Sequence, residues 1–449
     1  MTTRSIAAVV LAAGKGTRMK SDLPKVLHPL AGRPMVGHLL ATVDQLEPER
    51  TVVVVGHGME AVSAAVGDRS IAVQEPQRGT GHAVMQARAA LDGFEGDVLV
   101  LYGDTPLLTQ ATLEAMVEAR NAHPDTAVVV LGMRPDDPGE YGRLVLGADG
   151  MLDAIVEFKD ADESVRALDL CNSGVMAIDA ARLFPLLDQV TDDNAKGEYY
   201  LTDIVGLARR DGLRCAVVEA DVDELMGVNS RVDLAAAEAA VQERMRREAM
   251  LAGATLTDPG SVWLCHDTKI GRDVIIGPNV VFGPGVTIGD RVEIRPFCHI
   301  EGATVAAGAT VGPFARLRPG AAVGEDAHIG NFVEIKKATV EQGAKVNHLT
   351  YIGDARVGAK ANIGAGTITC NYDGFNKAHT DIGAGAFIGS NSALVAPVAI
   401  GAGAVIGAGS VITRDVEADA LAVTRAETRA VAGWAAKNRA RKAKPGKTK

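Results

Sequence analysis

The residues best suited to hold an anion lie in the stretch LAAGKGTRMKSDLPK, residues 11–25, directly after an apolar run. Its glycines let backbone N–H groups approach a ligand closely, and Arg18 and Lys25 add positive charge. The stretch has neither the GxxxxGK[ST] pattern of a Walker loop nor the third glycine of GxGxxG. It predicts a phosphate-binding turn after a buried strand, and a plain strand-to-helix turn is the alternative for this motif taken alone.

A carboxylate follows another apolar run. VLVLYGD places Asp104 at the carboxyl end of a predicted buried strand, where open α/β sheets bind ligands. A carboxylate at that place suits Mg²⁺, which takes few protein oxygens and keeps phosphate oxygens and waters. Helix capping is the alternative role for an isolated Asp after a strand. The nearby turn QRGTGHA, residues 77–83, offers glycine-flanked backbone that could read the edge of a base.

Two cations of the second half are candidates for a second anion site. Arg318 and Lys336 each follow the aliphatic residue that opens a six-residue unit, in LRPGAA and IKKATV, and they are 18 positions apart. If three units form one coil, the two side chains occupy equivalent places on coils about 4.8 Å apart. Cations at that distance repel each other unless they are solvated or bridged by an anion. An exposed basic pair is the alternative.

His348, in VNHLTY, is the candidate general base. With the one-residue steps of the repeat taken into account, His348 stacks with Asn331 and Ala365. The same register places Glu334 beneath Tyr351, so a carboxylate and a phenol are within reach of the imidazole. A histidine in such surroundings suits proton transfer near neutral pH. An ordinary surface histidine is the alternative.

Two patterns of different period position these residues. From residue 5 to about 230, apolar runs alternate with amphipathic segments, which predicts a Rossmann-like α/β domain with a mostly parallel sheet. The runs are SIAAVVLAA, TVVVV, VLVLY and TAVVVL, and the amphipathic segments include residues 34–46 and 109–121. Residues 231–251 contain neither Gly nor Pro and predict one long linker helix.

After about residue 270 the period is six, as in IGRDVI, IGPNVV and IGDRVE. Such a repeat predicts an all-β parallel β-helix. The register moves by one residue between positions 300 and 305, 335 and 340, and 352 and 357, and the segment TCNYDGFNKAHTD, residues 369–381, interrupts it. We therefore expect a first domain over 1–230, a linker helix over 231–251 and a β-helix domain with a basic tail over 252–449.

Composition restricts the partners. The net charge of −10 argues against a nucleic-acid surface on the body of the protein, and we expect no nucleic-acid partner. No apolar run reaches the roughly 18 residues of a membrane span, so we expect no membrane association. The five cysteines are widely spaced, which favours free thiols and a cytoplasmic location. The basic residues 437–449 predict a solvated, disordered tail.

The motifs LAAGKGTRM, PK, GTGHA, YGD, YGR, VEFKD, NSG and GVN, in this order, resemble those of the nucleotide-sugar pyrophosphorylases. Among these the chain resembles, over residues 5–425, the bifunctional bacterial family of N-acetylglucosamine-1-phosphate uridyltransferase/glucosamine-1-phosphate N-acetyltransferases. The resemblance implies a left-handed β-helix, a homotrimer and Mg²⁺ as cofactor. It implies UTP, N-acetylglucosamine-1-phosphate, glucosamine-1-phosphate and acetyl-CoA as small-molecule substrates, and UDP-N-acetylglucosamine as product.

For the uridyltransferase half, the resemblance implies transition-state stabilisation by Arg18 and Lys25, and Mg²⁺ ligation by Asp104 and Asn229. It implies that the following residues bind the nucleotide and the sugar: Leu11, Ala12, Ala13, Gly14, Lys25, Gln74, Gly79, Thr80, Tyr102, Gly103, Asp104, Gly142, Glu157, Asn172 and Asn229.

For the acetyltransferase half, the resemblance implies that His348 is the general base and that Glu334 orients it. The implied sugar-phosphate ligands are Arg318, Lys336, Tyr351, Asn362 and Lys377. The implied acetyl-CoA contacts are Ala365, Asn371, Tyr372, Ser390, Ala408 and Arg425. Past Thr424 the sequence agrees less with the family pattern.

Two other functions are compatible with parts of the sequence. The first is a single-activity sugar-1-phosphate nucleotidyltransferase whose β-helix is regulatory, and the second is a non-catalytic scaffold subunit with the same two-part architecture. The intact His348, Arg318 and Lys336 argue against the first, and the YGD, GVN and PK motifs argue against the second.

Overall fold

A computed structural model describes residues 4–14 and 16–442 of the chain. It divides into two compact units, and the division falls between Met245 and Arg246. This point lies inside a helix that spans Arg231–Leu251, the range that the sequence predicts for the linker helix.

The first unit contains a nine-stranded sheet in the order β11-β7-β10-β6-β1-β4-β5, with β8 and β9 attached at β10. All neighbours along this order are parallel except β10, which is antiparallel to β6 and β7. The strands of this unit, which include a separate β2–β3 pair, are β1 Ile6–Leu11, β2 Pro29–Leu30, β3 Arg33–Pro34, β4 Arg50–Gly56, β5 Ser70–Gln74, β6 Asp97–Tyr102, β7 Thr126–Met133, β8 Arg143–Leu146, β9 Leu152–Val156, β10 Cys171–Asp179 and β11 Arg214–Glu219.

Helices cover both faces of this sheet, and for this reason its central strands are apolar along their whole length. Two clusters of buried aliphatic side chains form, one on each face, around alternate residues of β1: Val9 in one cluster and Val10 in the other. The helices of the chain are α1 Met35–Asp44, α2 Glu60–Ala65, α3 Thr80–Met85, α4 Gln110–Asn121, α5 Glu163–Arg166, α6 Ala180–Leu187, α7 Asp203–Arg210, α8 Arg231–Leu251 and α9 Trp434–Lys442. The predicted strands and the helices at 34–46 and 109–121 are confirmed.

The second unit consists of short parallel strands stacked in three faces. The first face is a ten-stranded sheet: β12 Thr255–Leu256, β14 Ile275–Ile276, β17 Glu293–Ile294, β20 Thr310–Val311, β23 His328–Asn331, β25 Lys345–His348, β27 Asn362–Ile363, β30 Phe387–Ile388, β33 Val405–Ile406 and β35 Leu421–Ala422.

The seven-residue strands β24 Glu334–Val340 and β26 Tyr351–Val357 each run along the second face and then the third, and thereby join these faces into one sheet. The remaining strands of the second face are β15 Val281–Phe282, β18 His299–Ile300, β21 Arg316–Leu317, β28 Ile368–Cys370, β31 Ala393–Val395 and β34 Val411–Ile412. The remaining strands of the third face are β13 Lys269–Ile270, β16 Thr287–Ile288, β19 Ala303–Val305, β22 Ala321–Val323, β29 Thr380–Ile382 and β32 Val398–Ile400.

The pairing register confirms the six-residue period and its steps. Ile275 pairs with Glu293, 18 positions on, whereas Ile288 pairs with Val305, 17 positions on, because one of the predicted steps lies between them. The aliphatic residues that open the six-residue units, such as Ile276 and Ile288, point into the prism and are almost fully buried. The chain is thus a Rossmann-like domain followed by a hexapeptide-repeat β-helix, and the left hand of the helix stays a prediction.

Two irregular segments are smaller than the sequence indicates. Of residues 369–381, the first two continue β28 and the last two begin β29, so only residues 371–379 leave the coil. The predicted disordered tail is helical up to Lys442, and residues 443–449 lie outside the described residues. Within residues 4–14 and 16–442, the helices lack the combination of length and apolarity that a membrane span requires.

Candidate active sites

A cavity of about 330 Å³ lies at the carboxyl ends of β1, β5 and β6. Parallel strands bring their carboxyl ends to one edge of the sheet, and open α/β sheets bind ligands there. The walls include these residues of the predicted nucleotide site: Leu11, Ala12, Ala13, Gly14, Lys25, Gln74, Gly79, Thr80, Tyr102 and Asp104. Segments far apart in the sequence therefore converge where the motifs predict a phosphate-binding turn.

The turn after β1 is held by its neighbours. The backbone N–H of Ala12 donates to the carbonyl oxygen of Val54 at 2.8 Å, and the Gln77 side chain donates to the carbonyl oxygen of Ala13. Gly79 has φ +104°, and a Cβ at this position would lie 2.7 Å from the carbonyl oxygen of Tyr199. A glycine is required there because no other side chain fits between the turn and the backbone of residue 199.

The Lys25 side chain contacts Asp104 and Asn229, the two residues predicted to bind a metal. Its ammonium forms an ion pair with Asp104 and donates a hydrogen bond to Asn229 Oδ1 at 2.9 Å. The side chains of Lys25 and Asp104 are 13% and 18% exposed. Asn229 reaches this point because Val228 donates its N–H to the Asp104 carbonyl oxygen at 2.9 Å. A carboxylate oxygen and an amide oxygen thus converge on one cation, and this donor set fits Mg²⁺.

The predicted sugar residues adjoin Tyr102. Burial raises the pKa of Tyr102, and the nearby carboxylates of Asp104 and Glu157 raise it further. A Cβ on Gly174 would lie 2.8 Å from the Tyr102 ring, and Gly174 donates its N–H to Asn172 Oδ1 at 2.9 Å. Tyr102 therefore stands between the cavity and this group of residues.

Two backbone hydrogen bonds involve further residues of the predicted nucleotide and sugar site. Asn172 donates its N–H to the carbonyl oxygen of Gly142 at 2.8 Å, and Gly103 donates to that of Leu11 at 2.9 Å. Burial also raises the pKa of the Glu157 carboxyl group, although Lys196 opposes the shift. Five predicted residues do not line the cavity: Gly103, Gly142, Glu157, Asn172 and Asn229.

Arg18 does not line this cavity. It lies exposed on the short 3₁₀ helix Thr17–Met19, so its role in stabilising a transition state stays a prediction. Conversely, Gln77 and Glu198 line the cavity without having been predicted. Gln77 opens the quoted turn QRGTGHA and could have been found there, whereas nothing in the local sequence marks Glu198.

On the second face of the β-helix, three cations lie close together. Leu317 pairs with Ile335, so Arg318 and Lys336 occupy equivalent places on neighbouring coils, as predicted. The ammonium of Lys377 and the guanidinium of Arg318 lower the pKa of Lys336, because a second positive charge disfavours its protonated form. Like charges held together in this way suit an anionic ligand such as a phosphate.

Glu334 and Tyr351 are paired across neighbouring coils, as the register predicts. The hydrogen-bond partner of Glu334 is Arg318 and not the imidazole of His348: its Oε1 accepts from Arg318 Nη1 at 2.8 Å, whereas His348 Nδ1 faces Asn331. Asn371 donates to Asp354 Oδ2 at 2.5 Å and lies 3.5 Å from the Tyr351 hydroxyl. Tyr351 therefore lies between the Arg318 ion pair and the segment that leaves the coil.

That segment is a hairpin. Tyr372 and Lys377 form an antiparallel bridge, and Asp373 Oδ1 accepts the N–H groups of Phe375 and Asn376 at 2.8 and 2.6 Å. The hairpin thereby brings Lys377 to Lys336 on the second face.

His348 ends β25 on the first face, next to the corner that leads to the second. Its Nδ1 is 2.6 Å from Oδ1 of Asn331, the residue opposite it on the preceding coil. A cavity of about 310 Å³ beside it is lined by Arg295, Gly312, Pro313, Phe314, His328, Gly330, Asn331, Phe332, Asn347 and His348. Arg318, Lys336 and Tyr351 are absent from this lining, because they lie on the second face.

Of the predicted acetyl-CoA residues, Ala365, Ser390 and Ala408 continue the column that starts at His348, whereas Asn371 and Tyr372 lie in the segment that leaves the coil. Val346, Ile363, Ile388, Ile406 and Ala422 pair in succession. Two positions further along each strand, the same register aligns His348, Ala365, Ser390, Ala408 and Thr424. Arg425 follows directly, and a Cβ on Gly409 would lie 3.8 Å from its Cδ.

Asn362, assigned to the sugar phosphate, begins β27 on the first face and pairs with Lys345. It is therefore separated from the cations of the second face. The structure brings together Arg318, Lys336, Tyr351 and Lys377 and, separately, His348 and the acetyl-CoA column.

Comparison with known proteins agrees with this division. The family described as MobA-like NTP transferase domain matches residues 8–173, and the family described as Bacterial transferase hexapeptide (six repeats) matches residues 267–302 and 379–414. The chain is similar to proteins named Bifunctional protein GlmU. That of Paramagnetospirillum magneticum is 65% identical over 99% of the chain and 98% of the relative, and that of Rhodospirillum rubrum is 68% identical over 97% of each. That of Sphingopyxis alaskensis is 59% identical over 96% of the chain and 95% of the relative.

Proposed function

The chain belongs to the family of bifunctional GlmU proteins, and from this premise we propose the substrates and the residue roles of its two sites. It is a bifunctional transferase, a nucleotidyltransferase in its first half and a hexapeptide acyltransferase in its second. The β-helix acetylates glucosamine-1-phosphate, and the first domain joins the product to UTP, giving UDP-N-acetylglucosamine. One observation carries this proposal: Lys25 lines the cavity of the first domain, and Arg318, Lys336 and Lys377 lie close together on the β-helix, so each half offers its own cations to an anion.

In uridyl transfer, a phosphate oxygen of N-acetylglucosamine-1-phosphate attacks the α-phosphorus of UTP, and pyrophosphate leaves. The glycine turn after β1 holds the nucleotide, with Gln74, Gly79 and Thr80 at the base. Glu157 and Asn172 hold the sugar. Lys25 stabilises the negative charge that grows on the phosphate oxygens, so that positioning and electrostatics supply most of the catalysis.

Asp104 and Asn229 would hold Mg²⁺, because their oxygens already converge on one positive charge. When bound there, such an ion would supply positive charge that neutralises phosphate oxygens. With the ion in place, the Lys25 ammonium would be free to leave these two oxygens and to contact the phosphate groups.

In acetyl transfer, the amine nitrogen of glucosamine-1-phosphate bonds to the carbonyl carbon of acetyl-CoA, and the carbon–sulfur bond breaks. His348 takes the proton that the amine loses, and this proton passes to the leaving thiolate. Arg318, Lys336 and Lys377 bind the phosphate of the sugar. Acetyl-CoA lies along the column from Ala365 to Arg425.

A homotrimer would bring these parts together, since His348 and the cations lie on different faces of one prism. Beside the His348 cavity, the corner between the first and second faces carries a column of stacked rings: Phe297, Phe314 and Phe332, with centroids 4.8 and 5.1 Å apart. These side chains are about half exposed, at 50, 46 and 53%. An exposed apolar column of this kind favours contact with another protein surface, and we assign it to a second copy of the chain.

A two-readout assay tests the assignment. Purified protein receives glucosamine-1-phosphate and acetyl-CoA, or N-acetylglucosamine-1-phosphate, UTP and Mg²⁺, and the free thiol and pyrophosphate are followed separately. His348→Ala is expected to abolish thiol release and to leave pyrophosphate release intact, and Asp104→Ala is expected to do the reverse. Loss of both activities in either folded variant would contradict two independent sites.

The same assay separates the proposal from a regulatory β-helix. A single-activity nucleotidyltransferase would release pyrophosphate but no thiol from acetyl-CoA, whatever residue stood at position 348.

A further inference from the structure

Asn331 has no role in the function proposed so far, yet within residues 4–14 and 16–442 it is the hydrogen-bond partner of the imidazole of the candidate base. We propose that Asn331 is a positioning residue, which holds His348 in the tautomer that leaves Nε2 free to take the proton of the attacking amine. The inference rests on the proposed acetyl transfer, in which His348 is the general base.

The fold fixes this contact. Asn331 and His348 end the neighbouring strands β23 and β25 and are directly opposite each other in the parallel pairing. Asn331 Oδ1 lies 2.6 Å from Nδ1 of the imidazole. A side-chain carbonyl oxygen has no proton to donate, so Nδ1 must carry the hydrogen, and Nε2 keeps its lone pair. The backbone on the next coil is tied down as well, because Gly366 donates its N–H to the His348 carbonyl oxygen at 3.2 Å.

The choice of an amide has a chemical consequence. A carboxylate at position 331 would fix the same tautomer but would also stabilise the imidazolium, and thus raise the pKa of the base. Glu334, which pairs with Tyr351 three residues after His348, accepts a hydrogen bond from Arg318 at 2.8 Å. The neutral acceptor therefore orients the ring without adding negative charge next to it.

Other charged and titratable groups also surround this cavity. Arg295 and His328 line it, and Lys345 lies on the same strand as His348. Burial, Arg295 and Lys345 lower the pKa of His328, and so does His348, whereas Glu293 opposes the shift. When the imidazole of His348 is neutral, Asn331 decides which of its two nitrogens carries the proton.

Three variants test the inference through the pH dependence of thiol release. Asn331→Asp is expected to move the acidic limb of the profile upward by about one pH unit, because the new carboxylate favours the protonated base. Asn331→Ala is expected to lower kcat about tenfold with little change in KM, because the ring loses its orientation. The control Gln342→Glu adds the same charge in the turn before β25 and should leave the profile where it is.

A measurement on the unmodified chain avoids any effect of substitution on folding. In ¹⁵N NMR spectra at neutral pH, the Nδ1 of His348, identified by its loss in His348→Ala, is expected to carry the proton. Pyrophosphate release by the same preparations serves as the control for an intact first domain.

The possible outcomes distinguish a failure of the role of Asn331 from a failure of the proposed acetyl transfer. An unchanged acidic limb in Asn331→Asp, or a proton on Nε2 in the unmodified chain, would overturn the role of Asn331. Full thiol release by His348→Ala would instead overturn the proposed function itself.

Discussion

Replacing Lys25 with Met would reveal whether its ammonium holds the two oxygens that we assign to the metal. In the structure the ammonium pairs with Asp104 and donates to Asn229 at 2.9 Å, and both members of the ion pair are more than four-fifths buried. A divalent cation can use these oxygens only after the ammonium has left. Lys25→Met should therefore bind such a cation more tightly than the unmodified chain when no nucleotide is present.

The size of the effect follows from the contact that is lost. A hydrogen bond to a charged group contributes about 2 kcal/mol. Because the Lys25–Asp104 pair is partly exposed, we take this value as the free energy that the cation no longer has to overcome in Lys25→Met. At 1.4 kcal/mol per factor of ten, the affinity for the cation rises about 30-fold. Uridyl transfer should fall about 100-fold in the same variant, since the phosphate groups lose a preorganised positive charge.

Mn²⁺ in place of Mg²⁺ allows a direct measurement, because the free ion is counted by electron paramagnetic resonance. Titrations without nucleotide would compare the unmodified chain, Lys25→Met, and the control Lys20→Met, whose side chain is exposed. Equal or weaker Mn²⁺ binding by Lys25→Met would refute the competition, and undiminished uridyl transfer would refute the catalytic role of Lys25.

Three more predictions follow from the same contacts. Gly79→Ala should abolish most pyrophosphate release and leave thiol release intact, because its Cβ would lie 2.7 Å from the Tyr199 carbonyl oxygen. Phe314→Ser should shift the chain to smaller assemblies in analytical ultracentrifugation and reduce thiol release, whereas Phe387→Ser, outside the ring column, should do neither. Burial raises the pKa of Glu157, so its stabilising effect is complete below the unfolded pKa of about 4.3 and is lost as the pH rises through the folded value. Glu157→Gln should therefore gain in Tm relative to the unmodified chain between pH 4.5 and pH 7, and a constant difference would contradict this.

Periodicity was sufficient to predict most of the scaffold. Continuous apolar runs identified the central strands because a strand covered on both faces has no polar side. In the β-helix, the one-residue steps predicted that Asn331 would lie beside His348 and Glu334 beside Tyr351, and both pairings are present. A repeat fixes which positions are neighbours, so counting along the sequence was enough.

Counting could not decide which neighbour each side chain contacts. Glu334 was expected to orient His348. Its carboxylate instead accepts a hydrogen bond from the guanidinium of Arg318, which lies on the preceding coil. Lys25 bridging Asp104 and Asn229 joins loops separated by 79 and 204 positions, and no local pattern records such a contact. These contacts depend on tertiary packing and rotamers, which a one-dimensional pattern does not contain.

Mixing two variants tests most directly whether each half of the chain performs its own transfer. His348→Ala and Asp104→Ala are combined with glucosamine-1-phosphate, labelled acetyl-CoA, UTP and Mg²⁺, and labelled UDP-N-acetylglucosamine is measured. We expect neither variant alone to form it, whereas the mixture should, because the acetylated intermediate diffuses from one protein to the other. A mixture that stays inactive while each variant retains its remaining partial reaction would contradict two separable sites.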